Sequence, residues 1–359
     1  MQLNLSMTLV LVATSCSLTT AAAEAIPAAD SPSLHVRPLT VTPAHTPMVY
    51  VLVKNEAAEP YRGEVRVDLP GDWKTVPAVR TVELRPGEAT EVGFASEGGV
   101  NRAENRYRVT VRATSSDGGE VSREQEIVCA SAPYFKPGID GRMDDWKDAI
   151  PVTWRTSGKR TTLRTYWSRR AFSLLVEVEE DERLAHERSG GHCDAVQLAV
   201  APRDALTTTS PDGQAERFEF LLLPTGEGTG EVLQLIAPGQ KLAQGTQRRS
   251  IERLRQDGSI DGAELVVSRS DGLTRYECKL PMRPMYRKLR PTEGREFQLG
   301  LVVHDAGAEG TGPRALGAAL GFPAPGGSRQ GWSRWVGDSF GEDPPGANRV
   351  LWGMCSSKY

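Results

Sequence analysis

The densest gathering of side chains able to do chemistry lies late in the chain. There Arg329-Gln330-Gly331-Trp332-Ser333-Arg334-Trp335 sets two tryptophans and two arginines within seven residues. A flat indole face covers apolar C–H surface and guanidinium groups donate to oxygen, so the pairing suits a ring that is apolar on its face and hydroxylated at its rim. His304-Asp305, closing the apolar run FQLGLVVHD, adds two further polar groups. On a strand, Trp332 and Arg334 share one face and Trp335 takes the other, so a single tryptophan suffices as a stacking platform.

Catalytic signatures are weaker. Gly337-Asp338-Ser339-Phe340-Gly341 fits the G-x-S-x-G spacing of a nucleophile elbow. An elbow needs a strand-to-helix turn in an α/β sheet and, in that chain order, a later histidine. His304 is the last histidine, so Ser339 reads as turn chemistry. Phosphate-cradling and dinucleotide-binding glycine motifs do not occur. Paired carboxylates for glycoside hydrolysis are set by geometry rather than spacing, and the reading here is a non-catalytic protein.

The elements that must position these groups are strands. The chain has 359 residues, a net charge of -3, 25% charged and 39% hydrophobic residues, enough for two globular domains and without the basic excess of a nucleic-acid binder. Residues 33–131 form the first expected domain. Val49–Val53 is a continuous apolar run, while Glu64–Leu69 and Arg106–Arg112 alternate apolar and polar, which places one face in a core and the other in water. Leu69-Pro70-Gly71-Asp72, Arg85-Pro86-Gly87-Glu88 and Ser116-Asp117-Gly118-Gly119 supply the turns. Short strands at this spacing predict an immunoglobulin-like sandwich.

The proline- and glycine-bearing Ala130–Gly138 is expected as a stiff linker. Beyond it, Thr162–Trp167 and Phe172–Val178 read as a hairpin. Asp194–Val200, Arg217–Leu223, Glu231–Ile236, Glu264–Ser268, Tyr276–Leu280 and Phe297–Val303 read as further strands. The fold class expected is therefore all-β, two tandem sandwiches, with Trp146 and Trp154 as core plugs of the second.

The order IDGRMDDWKDA, TLRTYWS, AFSLLVEVEEDE, DAVQLAV, RFEFLLL, RYECKLP, FQLGLVVHD and RQGWSRW resembles a family 9 carbohydrate-binding module, in the broader DOMON-like group of sandwiches, over residues 137–355. The resemblance implies a sugar end clamped between two tryptophans. Trp332 or Trp335 matches the later one, with Arg329, Asp305, His304, Asp194 and Gln197 as polar partners. Where the earlier clamp tryptophan belongs this chain has Ser189-Gly190-Gly191-His192-Cys193, so His192 is the ring available there. The resemblance also implies that a structural calcium ion can be carried, and Asp140, Asp144 and Asp145 are its candidate oxygen ligands. The partner implied is an oligosaccharide or polysaccharide, with a separate glycoside hydrolase as a further one. Two alternatives stay open: an exported scaffold or adhesive sandwich that binds no sugar, and a haem-binding module, which would need axial histidine and methionine from a chain with 5 and 7 of them.

Residues 1–24 read as a secretory signal: the apolar Met7–Cys16 is too short to span a bilayer and Ala21-Ala22-Ala23 offers small residues for cleavage. The expected location is secreted or periplasmic, with lipid attachment through Cys16 the lesser alternative. Four cysteines then remain, Cys129, Cys193, Cys278 and Cys355, whose three pairings sequence leaves open beside the free-thiol reading.

Overall fold

The computed structural model describes residues 31–156, 158–180, 193–204, 214–226, 228–240, 251–305, 314–316 and 349–356. The expected strands form, and they assemble as two all-β sandwiches. The first contains β1 (Ser33–Val36), β2 (Met48–Lys54), β3 (Tyr61–Asp68), β4 (Lys74–Val76), β5 (Arg80–Leu84), β6 (Ala89–Glu97), β7 (Tyr107–Ser115) and β8 (Glu120–Ile127). They pair as two four-stranded sheets, β1-β2-β6-β4 and β5-β3-β7-β8. Alternation does the sorting: Tyr61, Gly63, Val65 and Val67 of β3 are buried and the residues between them exposed. Val49, Val51, Val53, Val65, Val67, Phe94, Val109 and Val111 fill the space between the sheets.

The second sandwich begins at β9 (Ser131–Pro133) and continues through β10 (Val152–Thr156), β11 (Lys159–Trp167), β12 (Ala171–Glu179), β13 (Ala195–Pro202), β14 (Phe218–Gly226) and β15 (Thr229–Ile236). It then runs through α1 (Ile251–Gly258), β16 (Glu264–Ser270), β17 (Leu273–Pro281), α2 (Tyr286–Leu289), β18 (Glu296–His304), β19 (Arg314–Ala315) and β20 (Val350–Cys355). One sheet runs β10-β11-β12-β17-β16; the facing one runs β15-β14-β13-β18-β20-β9, with β19 also on β18. Both faces of this second sheet are covered, which explains why β13 and β14 read as near-continuous apolar runs. Helix α1, which sequence periodicity did not indicate, lays Ile251 and Leu254 on the outer side against Leu221, Leu223, Leu233 and Leu235.

The opening stretch Gly138–Ala149 folds over the outer face of the five-stranded sheet. Trp146 is fully buried there beside Tyr166 and Leu175, and its indole N–H donates to Glu277 Oε1 at 2.6 Å. Glu277 Oε2 accepts from the Gly141 amide at 2.6 Å, so one carboxylate fixes both the turn and the plug. Trp154 instead faces the main inter-sheet core.

The residues expected as a linker are built into the fold. Ser131–Pro133 is an edge strand, parallel to β20, and all three residues are buried. Main-chain pairing serves a buried apolar run better than water does, which is why this short Ser-Ala-Pro segment joins the sheet. The first sandwich is tied to the same edge. Leu39 pairs with Cys129, Thr40 Oγ1 donates to Glu296 Oε1 at 2.6 Å, and Ile150 and Cys355 are buried within the first sandwich's core cluster. Gly353 makes this approach feasible, because a Cβ there would stand 1.8 Å from the Thr40 carbonyl oxygen. Asn105, at φ 51, holds the joint: its amide donates to the Cys129 and Pro151 carbonyls at 2.8 and 2.9 Å and accepts from the Cys129 N–H at 2.8 Å. The four cysteines among the described residues, Cys129, Cys193, Cys278 and Cys355, are buried thiols outside any disulfide.

Asn105→Ala strands three buried polar groups and leaves a Cβ-bearing residue without side-chain compensation in the left-handed region. We expect a loss of about 2–3 kcal/mol and a single calorimetric transition resolved into two; one unchanged transition would show that the joint does not couple the sandwiches. The buried His35 is held down to about 4, by desolvation first and then by Arg123 and Arg37. Its proton is therefore taken up by the unfolded chain before the folded one. Stability is complete above pH 6.5 and declines as pH falls toward 4, by up to about 3 kcal/mol, a slope that His35→Gln should flatten in acid denaturation followed by circular dichroism.

Candidate functional site

Three strands of the second sandwich end together, and each carries its inward face one residue past the ladder. On β12 the inward residues are Phe172, Leu174, Val176 and Val178, so Glu180 follows them inward. On β13 they are Val196, Leu198 and Val200, which puts Asp194 on the same side; on β18 they are Phe297, Leu299, Leu301 and Val303, followed by Asp305. The three carboxylates are 3%, 0% and 7% exposed. One oxygen from each lies within 4.8 Å of the others.

Like charges so close in a dry setting demand compensation. Arg314, 1% exposed, is ion-paired with Asp305 and its Nη1 donates to the Glu179 carbonyl at 2.8 Å. Lys159 Nζ stands 3.9 Å from Asp305. Arg269 Nη1 reaches Glu180 Oε1 at 3.5 Å and its Nη2 donates to the Glu180 carbonyl at 2.8 Å. These cations leave Glu180 with its pKa pushed up to about 8, by burial first and then by Asp194 and Asp305, with Thr274 and Arg269 opposing. Its second oxygen, Oε2, is buried without a hydrogen-bond partner.

The expected polar partners divide between two faces. Asp194 and Asp305 face inward with Glu180. Gln197 and His304 have the opposite parity and lie on the outer side of the same sheet, where His304 Nε2 is 3.1 Å from Gln197 Oε1. Both are fully enclosed, and burial holds the His304 imidazole down to about 3. His304 and Asp305 therefore cannot address one ligand directly, because strand neighbours point to opposite sides. Arg329, Trp332, Trp335 and His192 lie outside the described residues, as does Ser339. Glu180 was not a candidate from sequence; it sits in an acidic run, Glu177 to Glu182, that resembles a solvated strand end.

Asp140, Asp144 and Asp145 are exposed and do not converge. Asp140 Oδ1 accepts the Arg142 N–H at 3.0 Å and Asp145 Oδ2 the Gly138 N–H at 2.7 Å, which are local turn and cap bonds. Among the described residues the one group with geometry suited to a metal ion is Glu180, Asp194 and Asp305. Its donor set is all oxygen, as a calcium-type ion prefers. The same three carboxylates are too close together and too enclosed for a sugar ring to sit between them, unlike a glycosidase pair roughly 5–9 Å apart across a substrate cleft.

Two strands share one side of β18. β19 pairs with Val302 and Val303, and β20 pairs with the earlier half of β18 from Glu296 to Leu299. Arg314, the partner of Asp305, is the first residue of β19.

No family model matches the sequence, and no curated protein does. Among solved structures the chain is similar to a carbohydrate-binding module of family 9 from Caldicellulosiruptor kristjanssonii in complex with cellotriose, at 14% identity and a TM-score of 0.37, over 52% of this chain and 80% of that one. A family 9 module from the same organism in complex with glucose gives 14% identity and a TM-score of 0.35, over 52% and 82%. The YadV chaperone gives 11% and 0.21, over 70% and 99%. With every TM-score below 0.5, no residue role is carried over from these structures.

Removing Arg314 leaves Asp305 buried beside two other carboxylates. Arg314→Met, which keeps the bulk, should cost about 3–5 kcal/mol in denaturant unfolding, whereas the exposed pair Arg62–Glu83 should be worth under about 1 kcal/mol when Arg62 is changed the same way. Equal losses at both positions would remove the case for a strained acidic cluster.

Proposed function

We propose that this chain is an exported, non-catalytic carbohydrate-binding protein. The second sandwich recognises a glycan at the end where β12, β13 and β18 terminate, and the first serves as a fixed support. The observation that carries the reading is the pairing of β19 and β20 along one side of β18. Residues 317–348, which hold Arg329, Trp332 and Trp335, are flanked in the chain by these two strands, the first of which pairs with β18 at Val302 and Val303, just before Asp305. The segment from 181 to 192, with His192, is likewise anchored between Glu180 and Asp194. Aromatic and guanidinium groups thus belong to two segments that each adjoin, on at least one side, a strand at this sheet end, the arrangement in which loops carry recognition and strands carry support. In this reading Asp194 and Asp305 secure the loop roots, and Trp332 or Trp335 stacks on the sugar. Accessory action beside a separate glycoside hydrolase follows from a non-catalytic module of this kind.

A second reading, a scaffold or adhesive sandwich without sugar binding, draws on a specific feature. Among the described residues no tryptophan is exposed, the exposed large apolar side chains being Met48, Val76, Val100, Tyr134 and Tyr286.

Calorimetric titration of the full chain against plant, algal and bacterial oligosaccharides separates the two. Under the glycan reading at least one sugar binds, and either Trp332→Ala or Trp335→Ala weakens it by tenfold or more, a loss of about 1.4 kcal/mol, in a protein whose circular dichroism is unchanged. Heat from no sugar in the folded protein would hand the case to the scaffold.

A further inference from the structure

We propose that the end of the second sandwich opposite the acidic trio binds a polyanionic polysaccharide, one bearing carboxylate or sulfate groups, through six exposed cations gathered around Tyr286. This site is separate from the one assigned above to Trp332 and Trp335, and each can fail without the other.

The strand directions separate the two ends. β12 runs from Ala171 toward Glu180, while β17 runs the other way and reaches the far end at Pro281, opposite Ala171. Two segments meet beyond that pair. The turn between β11 and β12 carries Arg169 and Arg170, and the stretch Met282–Arg290, which includes α2, carries Arg283, Arg287, Lys288 and Arg290. The Met282 N–H donates to the Arg170 carbonyl at 2.7 Å, so the two groups of cations are held side by side. The stretch turns helically, with the Met285 N–H on the Met282 carbonyl at 3.0 Å and the Arg290 N–H on the Tyr286 carbonyl at 2.8 Å. Met282, Met285 and Leu289 fall into the inter-sheet core, and the same spacing turns Arg283, Tyr286, Arg287 and Arg290 outward as one row. All six cations are exposed, and Tyr286 is 52% exposed among them.

Their lack of counter-charges sets these cations apart. Arg62, Arg66, Arg108 and Arg112, exposed on strands of the first sandwich, each stand beside a carboxylate. Among the described residues no carboxylate lies within ion-pair reach of any of the six. The acids of this end are engaged elsewhere: Glu296 is ion-paired with Arg203 and accepts from Thr40, and Glu293 accepts from Ser356, which leaves the exposed Asp204 beyond β13. A field of one sign left open in this way steers an oppositely charged partner. The helix dipole does not account for it, since α2 has four residues and Arg169, Arg170 and Arg283 lie away from its C-terminal end.

The shape of the patch selects the kind of anion. At helical rise the row from Arg283 to Arg290 spans roughly 10 Å, longer than one small anion bridges, which calls for a polymer. Five of the six cations are arginines, whose planar fork takes carboxylate and similar oxyanions by two parallel hydrogen bonds, and the exposed phenol offers a sugar both a flat apolar face and a hydroxyl. A net charge of -3 that already includes these six leaves -9 for the rest of the chain, so a long stiff duplex running past the patch meets repulsion. A membrane surface fits less well, because the large aliphatic side chains of the stretch, Met282, Met285 and Leu289, are buried and none is left to enter it.

The test titrates the full chain with heparin, polygalacturonate and alginate at about 50 and 200 mM salt, with neutral dextran, DNA and phosphatidylglycerol vesicles alongside. At least one acidic polysaccharide should bind and dextran should not, with affinity falling by about tenfold or more at the higher salt. Arg283→Gln with Arg287→Gln should weaken that binding by about tenfold or more and flatten its salt dependence, while the charge-matched Arg62→Gln with Arg108→Gln leaves it within about twofold. The arginine variant should unfold no lower than wild type, since the side chains it replaces hold no partner; should it unfold early, Arg169→Gln with Arg170→Gln is measured in its place. Trp332→Ala and Trp335→Ala should leave acidic-polymer binding unchanged, which separates this site from the stacking one. No binding of any acidic polymer at the lower salt, or equal losses in the charge-matched variant, would overturn the proposal. Tighter binding of DNA or of vesicles would give the patch to that partner instead, and loss in a tryptophan variant with the arginine variant unaffected would place the binding at the other end.

Discussion

Charge inside a β-sandwich is the constraint from which most of the second domain's design follows. The space between two sheets is filled by side chains of alternating parity, and where that parity delivers carboxylates instead of valines the sheets must supply cations or lose stability. This molecule meets the demand from three directions: Arg314 from β19, Arg269 from β16 and Lys159 from β11. Every one of these cations comes from a different strand than the acid it serves. The acidic end therefore forms only when both sheets are closed, so its geometry reports on the whole sandwich rather than on one hairpin.

The joint between the domains works by a different means. Asn105 spends its whole side chain on main-chain groups of the junction, and Gly353 lets β20 approach Thr40 closer than any other residue type would. Apolar residues cross the boundary as well, Ile150 and Cys355 into the first core and Val128 and Ala130 into the second. Pairing, caps and packing at one place make a stiff connection from weak parts, each worth about 1 kcal/mol.

Much of this fold is written locally. The alternation in Glu64–Leu69 and Arg106–Arg112 already separates wet from dry faces, and the doubly buried strands announce themselves as unbroken apolar runs. Parity was legible too: Val176, Val178 and Glu180 form one series, so the inward course of Glu180 could have been drawn from the apolar residues before it. What spacing along one strand cannot supply is which three strand ends meet, because that depends on pairings between residues more than a hundred positions apart, such as Ala195 with His304. Helix α1 was hidden for a related reason. Half of its eight residues are charged, and only contact with the apolar outside of β14 and β15 gives Ile251 and Leu254 a reason to fall on one helical face. The linker reading of Ala130–Gly138 failed where composition outweighed burial: prolines and a glycine suggest a tether, yet Ser131–Pro133 had an open sheet edge to join.

That edge has a mechanical consequence. β9 and β20 run parallel, with the first sandwich continuous with the start of β9 and residue 356 just beyond the end of β20. A pull applied between the first sandwich and that end draws the two strands in opposite directions along their length. Their hydrogen bonds are then strained together in shear, instead of opening one at a time as at a hairpin mouth. A short parallel pair placed this way turns a connection between two domains into a clasp that tightens its alignment under tension.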